Sequence, residues 1–139
     1  MQATYTLLIE LDRSAVIPVG KKGDLSFKAG YYAYVGSALN GLEHRIARHL
    51  RREKKLRWHI DYLLQHAGVL MYIYAENDTK RECRVAGALL KILEPVPGFG
   101  CSDCRCLTHL FYHDDPDALR QSVLSGFGAA GLVPVEIVC

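Results

Sequence analysis

The chain has 139 residues, 50% of them hydrophobic and 23% charged, which points to one domain over residues 1–139 with enough core to fold without disulfides and excludes intrinsic disorder. No apolar run approaches the roughly 18 residues that cross a bilayer and no basic-then-apolar leader opens the chain, so a soluble, cytoplasmic protein with no membrane partner is expected. The net charge of +2 hides an asymmetry, because Glu43 to Arg57 holds seven Lys or Arg against two acids, a local +5 that leaves −3 elsewhere; such a face fits a polyanionic partner better than an ordinary solvated helix does.

Thr4–Leu11 (TYTLLIEL) is rich in aliphatic and β-branched residues and reads as a strand. Lys21-Lys22-Gly23-Asp24 reads as a turn, with a short strand near Leu25–Phe27 and another at Tyr31–Val35, punctuated by Gly30 and Gly36. A helix follows, for which Asn40 offers a cap with Glu43 three residues on, and Leu42, Ile46 and Leu50 form its buried stripe. Trp58–Leu64 (WHIDYLL) fits a second helix with Ile60, Leu63 and Leu64 inward. Gly68–Ala75 is an apolar strand, and Thr79 opens a third helix with Val85, Ala86, Leu89 and Leu90 on one side. Pro95–Gly100 is a loop, Leu107–Tyr112 a strand, Asp115-Pro116 a helix start, and Val133–Val138 a last strand that Pro134 places at an edge. Early strands joined by short turns, with helices later, give an α+β fold class.

The five cysteines, Cys83, Cys101, Cys104, Cys106 and Cys139, are an odd count and read as reduced thiols or metal ligands rather than a disulfide framework. Cys101, Cys104, Cys106 and His109 could furnish three thiolates and an imidazole for tetrahedral zinc. The spacing is cramped compared with the two separated ligand pairs of most structural zinc sites, so buried thiols ordering a tight loop are favoured over zinc.

Tyr34-Val35-Gly36-Ser37, followed by Gly41-Leu42, Arg45 and His49, resembles the second half of the signature of the GIY-YIG nucleases. Tyr5 stands where the first half of that signature would lie, and Glu82 in Arg81-Glu82-Cys83 matches the family's metal-binding glutamate. The stretch Phe99-Gly100-Cys101-Ser102-Asp103-Cys104-Arg105-Cys106 with His109-Leu110-Phe111 resembles a narrower branch, the Uri-type endonucleases. Tyr5 and Tyr34 are 29 residues apart, longer than the usual family spacing, so the hairpin between them must hold an insertion. The resemblance implies a small antiparallel sheet flanked by helices, and a Mg²⁺- or Mn²⁺-dependent endonuclease that hydrolyses nucleic-acid phosphodiesters, with DNA as the expected substrate.

The chemistry gives these residues roles. A single carboxylate plus waters suits Mg²⁺, and Glu82 would supply it. Arg45 would clamp a non-bridging phosphate oxygen with its guanidinium fork. His49, one helical turn on, or a tyrosine hydroxyl beside it, would pass the proton from water, with Tyr5 and Tyr34 presented from adjacent strands. Arg48, Arg51, Arg52, Lys54 and Lys55 would contact phosphates.

Each residue also has a plainer reading: Tyr5 and Tyr34 as core aromatics, Arg45 as one more solvent or phosphate contact, His49 at the edge of the apolar stripe, and Glu82 as the partner of Thr79 in a capping box. A nucleic-acid-binding module without cleavage and a zinc-stabilised interaction domain are the alternative functions. His59 and Asp61 share the narrower branch's pattern without an assigned role, and Trp58 reads as an anchor. With no obvious second DNA-reading domain, specificity would come from substrate shape, dimerisation or a repair-protein partner.

Overall fold

An apolar run buried on both faces has to be a central strand, and the opening segment is one. In a computed structural model, which describes residues 2–101 and 105–139, β1 (Ala3–Leu11) is buried at every position but Glu10. It pairs antiparallel with β4 (Gly30–Ala38) on one side and β5 (Gly68–Glu76) on the other. Between β1 and β4 the chain forms a separate two-stranded hairpin from β2 (Ala15–Pro18) and β3 (Asp24–Phe27), which occupies much of the 29-residue separation of Tyr5 and Tyr34.

After β4 come α1 (Leu42–Leu50) and α2 (His59–Leu63); after β5 come α3 (Glu82–Leu90), β6 (Glu94–Pro95), β7 (Leu110–His113), α4 (Pro116–Ala129) and β8 (Val135–Val138). The main sheet is antiparallel throughout, in the order β6-β7-β4-β1-β5-β8, so the fold is α+β. β8 lies at an edge as Pro134 suggests, and no helix among the described residues is long and apolar enough to cross a membrane.

The period-2 alternation of β1 divides the core in two. Tyr5, Leu7, Ile9 and Leu11 join Tyr32 and Tyr34 of β4 under α1, α2 and the inserted hairpin. Leu8 joins Ala33 and Val35 on the opposite face, where α3 and α4 bring Val85, Leu89, Val123 and Phe127. Helix α4 has the clearest start, with Asp115 accepting from the Asp117 N–H and proline at the first helical position.

Three local expectations are corrected. Helix α1 is not capped by Asn40; Gly41 takes the cap position at φ 70°, a left-handed conformation that glycine adopts at little steric cost, with no side-chain cap bond. Its buried stripe runs Leu42, Ile46, His49, because the inward face steps back by three and leaves Leu50 48% exposed. Helix α3 begins at Glu82, without a side-chain cap from Thr79, and turns Leu90 outward.

Candidate active site

Strand β7 pairs with β4 only from Tyr31 to Tyr34, and one further bond, from Val35 N–H to the His109 carbonyl, closes that edge. Where the ladder stops a cleft of about 620 Å³ opens, and its lining includes Tyr5, Tyr34, Arg45, Trp58, His59 and Glu82. The first turns of two helices and the ends of two central strands thus meet at one place. Tyr5 and Gly36 are register partners on β1 and β4. A Cβ at Gly36 would lie 2.5 Å from the Tyr5 ring and hydroxyl, so glycine there lets the phenol cross the neighbouring strand.

The Tyr5 hydroxyl lies 2.7 Å from Nε2 of His49. The imidazole is 2% exposed and is ringed by Tyr5, Tyr34 and Trp58. Burial, reinforced by the Lys54 charge, lowers its pKa to about 3, so it is neutral at physiological pH. Burial pushes the Tyr5 hydroxyl up to about 12, with the Arg45 guanidinium pulling the other way. Tyr34 is raised further, again by burial first and then by Tyr5 and Glu82. For the phenol to donate to Nε2 the neutral ring must carry its hydrogen on Nδ1, which is buried without a hydrogen-bond partner among the described residues.

Arg45 donates from one guanidinium nitrogen to the Ser37 carbonyl at 2.9 Å and lies over the Trp58 ring at 4.8 Å. The remaining guanidinium N–H groups supply the donors for an oxyanion. Glu82, the first residue of α3, is half-buried and makes no side-chain hydrogen bond or ion pair among the described residues.

The basic segment divides into two groups. Arg48 grips Asp61 with two bonds of 2.8 and 2.9 Å, where the carboxylate is fully buried and also accepts from the Arg57 and Trp58 N–H groups. Burial alone would raise the Asp61 carboxyl; Arg48 and the two amides hold it below its usual range. Lys54 donates to the Arg48 and His49 carbonyls at the end of α1, and Arg52 exchanges bonds with Gln65. Arg51 and Lys55 face solvent. Arg48 and Lys54 are therefore built into the fold, while Arg51, Arg52 and Lys55 form the outward charge.

Sequence reasoning left Asp61, His59 and Trp58 without firm roles, and the structure supplies them. Asp61 fixes Arg48 and the entry to α2, His59 Nδ1 accepts from the Gly100 N–H at 2.9 Å, and Trp58 carries both Arg45 and Arg48 over its ring. The WHIDYLL segment was the only signal for them. The cysteine set is rearranged. Cys106 and His109 gather with Cys83, not with Cys101, whose thiol donates to the Leu107 carbonyl; Cys104 lies outside the described residues. Nothing in the local sequence links Cys83 to a segment more than twenty residues away.

A family model for the domain of unknown function DUF123 matches residues 4–131, so the chain belongs to that family. No curated protein and no solved structure matches the chain.

Proposed function

We propose that this DUF123 domain is a divalent-metal-dependent nuclease whose site is the cleft around Tyr5, Tyr34, Arg45, His49 and Glu82. The observation that carries the reading is convergence: Glu82 enters the same cleft as Tyr5, Tyr34 and Arg45 from a helix that belongs to the other side of the sheet. The likeness of this set to the GIY-YIG signature supports it further. A half-buried carboxylate with no protein partner among the described residues fits Mg²⁺ or Mn²⁺, which keep most of their waters and take one or two carboxylates. The bound ion would supply Lewis-acid stabilisation of the phosphoryl oxygens.

The chain's own residues do the rest. Arg45, anchored at Ser37 and stacked on Trp58, presents its guanidinium to a non-bridging oxygen. Tyr34, kept protonated by burial, is a hydrogen-bond donor at every working pH. Tyr5 accepts a proton from the attacking water as its own passes to Nε2 of His49, and the imidazole ends protonated. Burial disfavours both charged forms, raising Tyr5 and lowering His49, so a separated tyrosinate–imidazolium pair would lie well uphill. The two transfers must therefore be concerted with attack, and a phosphodiester that offsets the Arg45 charge eases the second.

Glu82→Gln is the test. The variant keeps its helix start, loses less than about 1 kcal/mol of stability and still binds DNA. Its nicking of supercoiled plasmid in Mg²⁺ or Mn²⁺ drops by roughly a thousandfold, the equivalent of about 4 kcal/mol of lost transition-state stabilisation. Near-native nicking would reject the nuclease reading at its centre, and binding without nicking by the unaltered protein would leave a nucleic-acid-binding module.

A further inference from the structure

Cys83 and His109, which also line the cleft, belong to a second group of potential ligands that this mechanism does not use. Sγ of Cys83, Sγ of Cys106 and a ring nitrogen of His109 all lie within 4.8 Å of one another. The three come from different places: Cys83 from the first turn of α3, Cys106 from the segment before β7, and His109 from the residue that closes the β4 edge. Two thiols and an imidazole brought together from three parts of the chain make a soft donor set of the kind that holds a thiophilic metal. We infer that these residues form a zinc site that fastens the start of α3 to the approach to β7.

The histidine is set up as a ligand. Its Nδ1 lies 3.1 Å from the Val35 carbonyl, and a carbonyl can only accept, so Nδ1 carries the hydrogen and the lone pair of the neutral ring is on Nε2. Donation of the other ring N–H to a backbone carbonyl is the usual support of a metal-bound histidine. That Nε2 lies 3.9 Å from Cys83 Sγ. With zinc–sulfur and zinc–nitrogen bonds of about 2.3 and 2.05 Å, the tetrahedral N···S edge is about 3.6 Å and the S···S edge about 3.8 Å. The Cys83–His109 pair reaches that edge by moving a few tenths of an ångström, and no pair in the cluster has to close by more than about 1.2 Å. Two thiolates and an imidazole select a thiophilic cation over Mg²⁺, which takes oxygen ligands.

The main-chain frame makes this a staple. His109 is held at 3% exposure, its N–H bonded to the Phe99 carbonyl and its carbonyl to the Val35 N–H. Cys83 directly follows Glu82, so a metal fixed to His109 also fixes the first turn of α3. The donor set and its geometry stand whatever the neighbouring cleft does, so the zinc site is independent of the nuclease reading.

The test compares Cys83→Ser with Cys101→Ser in protein purified under reducing conditions and reconstituted with Zn²⁺ or Co²⁺. We expect one zinc per chain in the unaltered protein and in Cys101→Ser, with the thiolate-to-cobalt charge-transfer band intact in both. Cys83→Ser should lose the zinc and much of that band. Alkylation of the unaltered protein, read by mass spectrometry with and without a chelator, needs no variant: zinc should shield Cys83 and Cys106 while leaving exposed Cys139 reactive. Zinc retained by Cys83→Ser, a cobalt band cut equally by Cys101→Ser, or no zinc uptake and no shielding in the unaltered protein would each overturn the assignment. Full zinc loading in a Glu82→Gln variant that does not nick plasmid would keep the two readings apart.

Discussion

The two faces of the sheet are filled in opposite ways. Under α3 and α4 the core is hydrocarbon, from Leu8 and Val35 on the sheet to Val85, Leu89, Val123 and Phe127 on the helices, and the buried polar groups that β1 sends to that face are the small hydroxyls of Thr4 and Thr6. Under α1 and α2 the core holds Tyr5, Tyr32 and Tyr34, with the imidazole of His49 and the carboxylate of Asp61 buried against the same helices. Burying a polar or charged group costs several kcal/mol unless it is paired, so one face bears that cost and the other supplies stability. The contrast identifies which substitutions should act on chemistry and which on folding alone.

The largest expected effect is acid destabilisation through His49. Its folded pKa is lowered to about 3 from an ordinary 6.5, so between those values the unfolded chain binds a proton that the native one does not. Stability is complete above about pH 6.5 and falls as pH drops towards 3, by up to about 5 kcal/mol. Asp61, whose pKa is lowered below 3.8, adds a further loss below that value. Urea unfolding at successive pH values measures the slope, and His49→Phe should flatten it; an equal slope in that variant would remove His49 as its origin.

Next comes Arg48→Ala, which leaves the fully buried Asp61 carboxylate without its cation. It should cost about 4 kcal/mol in chemical denaturation, whereas Arg51→Ala, one turn along and exposed, should cost less than about 0.5 kcal/mol. Similar losses for both would mean that Arg48 is an ordinary surface charge.

Leu89→Ala probes the opposite face. Removing this fully buried side chain should cost about 3 kcal/mol and leave nicking per folded molecule unchanged. A fall in turnover that outstrips the fall in folded fraction would show the two faces to be coupled.

The smallest effect on folding belongs to the outward charges. Neutralising Arg51, Arg52 and Lys55 together should shift stability by less than about 1 kcal/mol, yet weaken DNA binding similarly for all sequences and reduce its salt slope by about 0.9 for each phosphate no longer neutralised. An unchanged slope in binding titrations over salt would exclude this surface as the footprint.

Much of the fold is legible because strands and helices carry their own periodicity. TYTLLIEL announces a central strand, and the alternation that sends Tyr5 to one face and Leu8 to the other is visible in it. The inserted hairpin is readable only as extra length, since Ala15–Pro18 is four residues long and ends in a proline. Ends of helices were the weak point: Asn40 and Glu43 have the chemistry of a capping box, but Gly41 sets the backbone before Asn40 can act. Tyr5, Tyr34, Arg45 and Glu82 could be named because their order resembles the GIY-YIG signature. Counting charge could not separate Arg48 from Arg51, because the distinction lies in Asp61, thirteen residues on. Cys83 joins Cys106 and His109 only through the sheet, a meeting that no local spacing encodes.

Trp58 is the only tryptophan in the chain, and it lies on the wall of the cleft with the Arg45 and Arg48 guanidiniums over its ring. All of the indole emission of this protein therefore originates beside Arg45. Any anion that draws that guanidinium from the ring changes the polarity and quenching around one fluorophore, and no second indole dilutes the signal. The domain carries its own optical gauge of cleft occupancy, usable in stopped flow without a label and equally in Glu82→Gln.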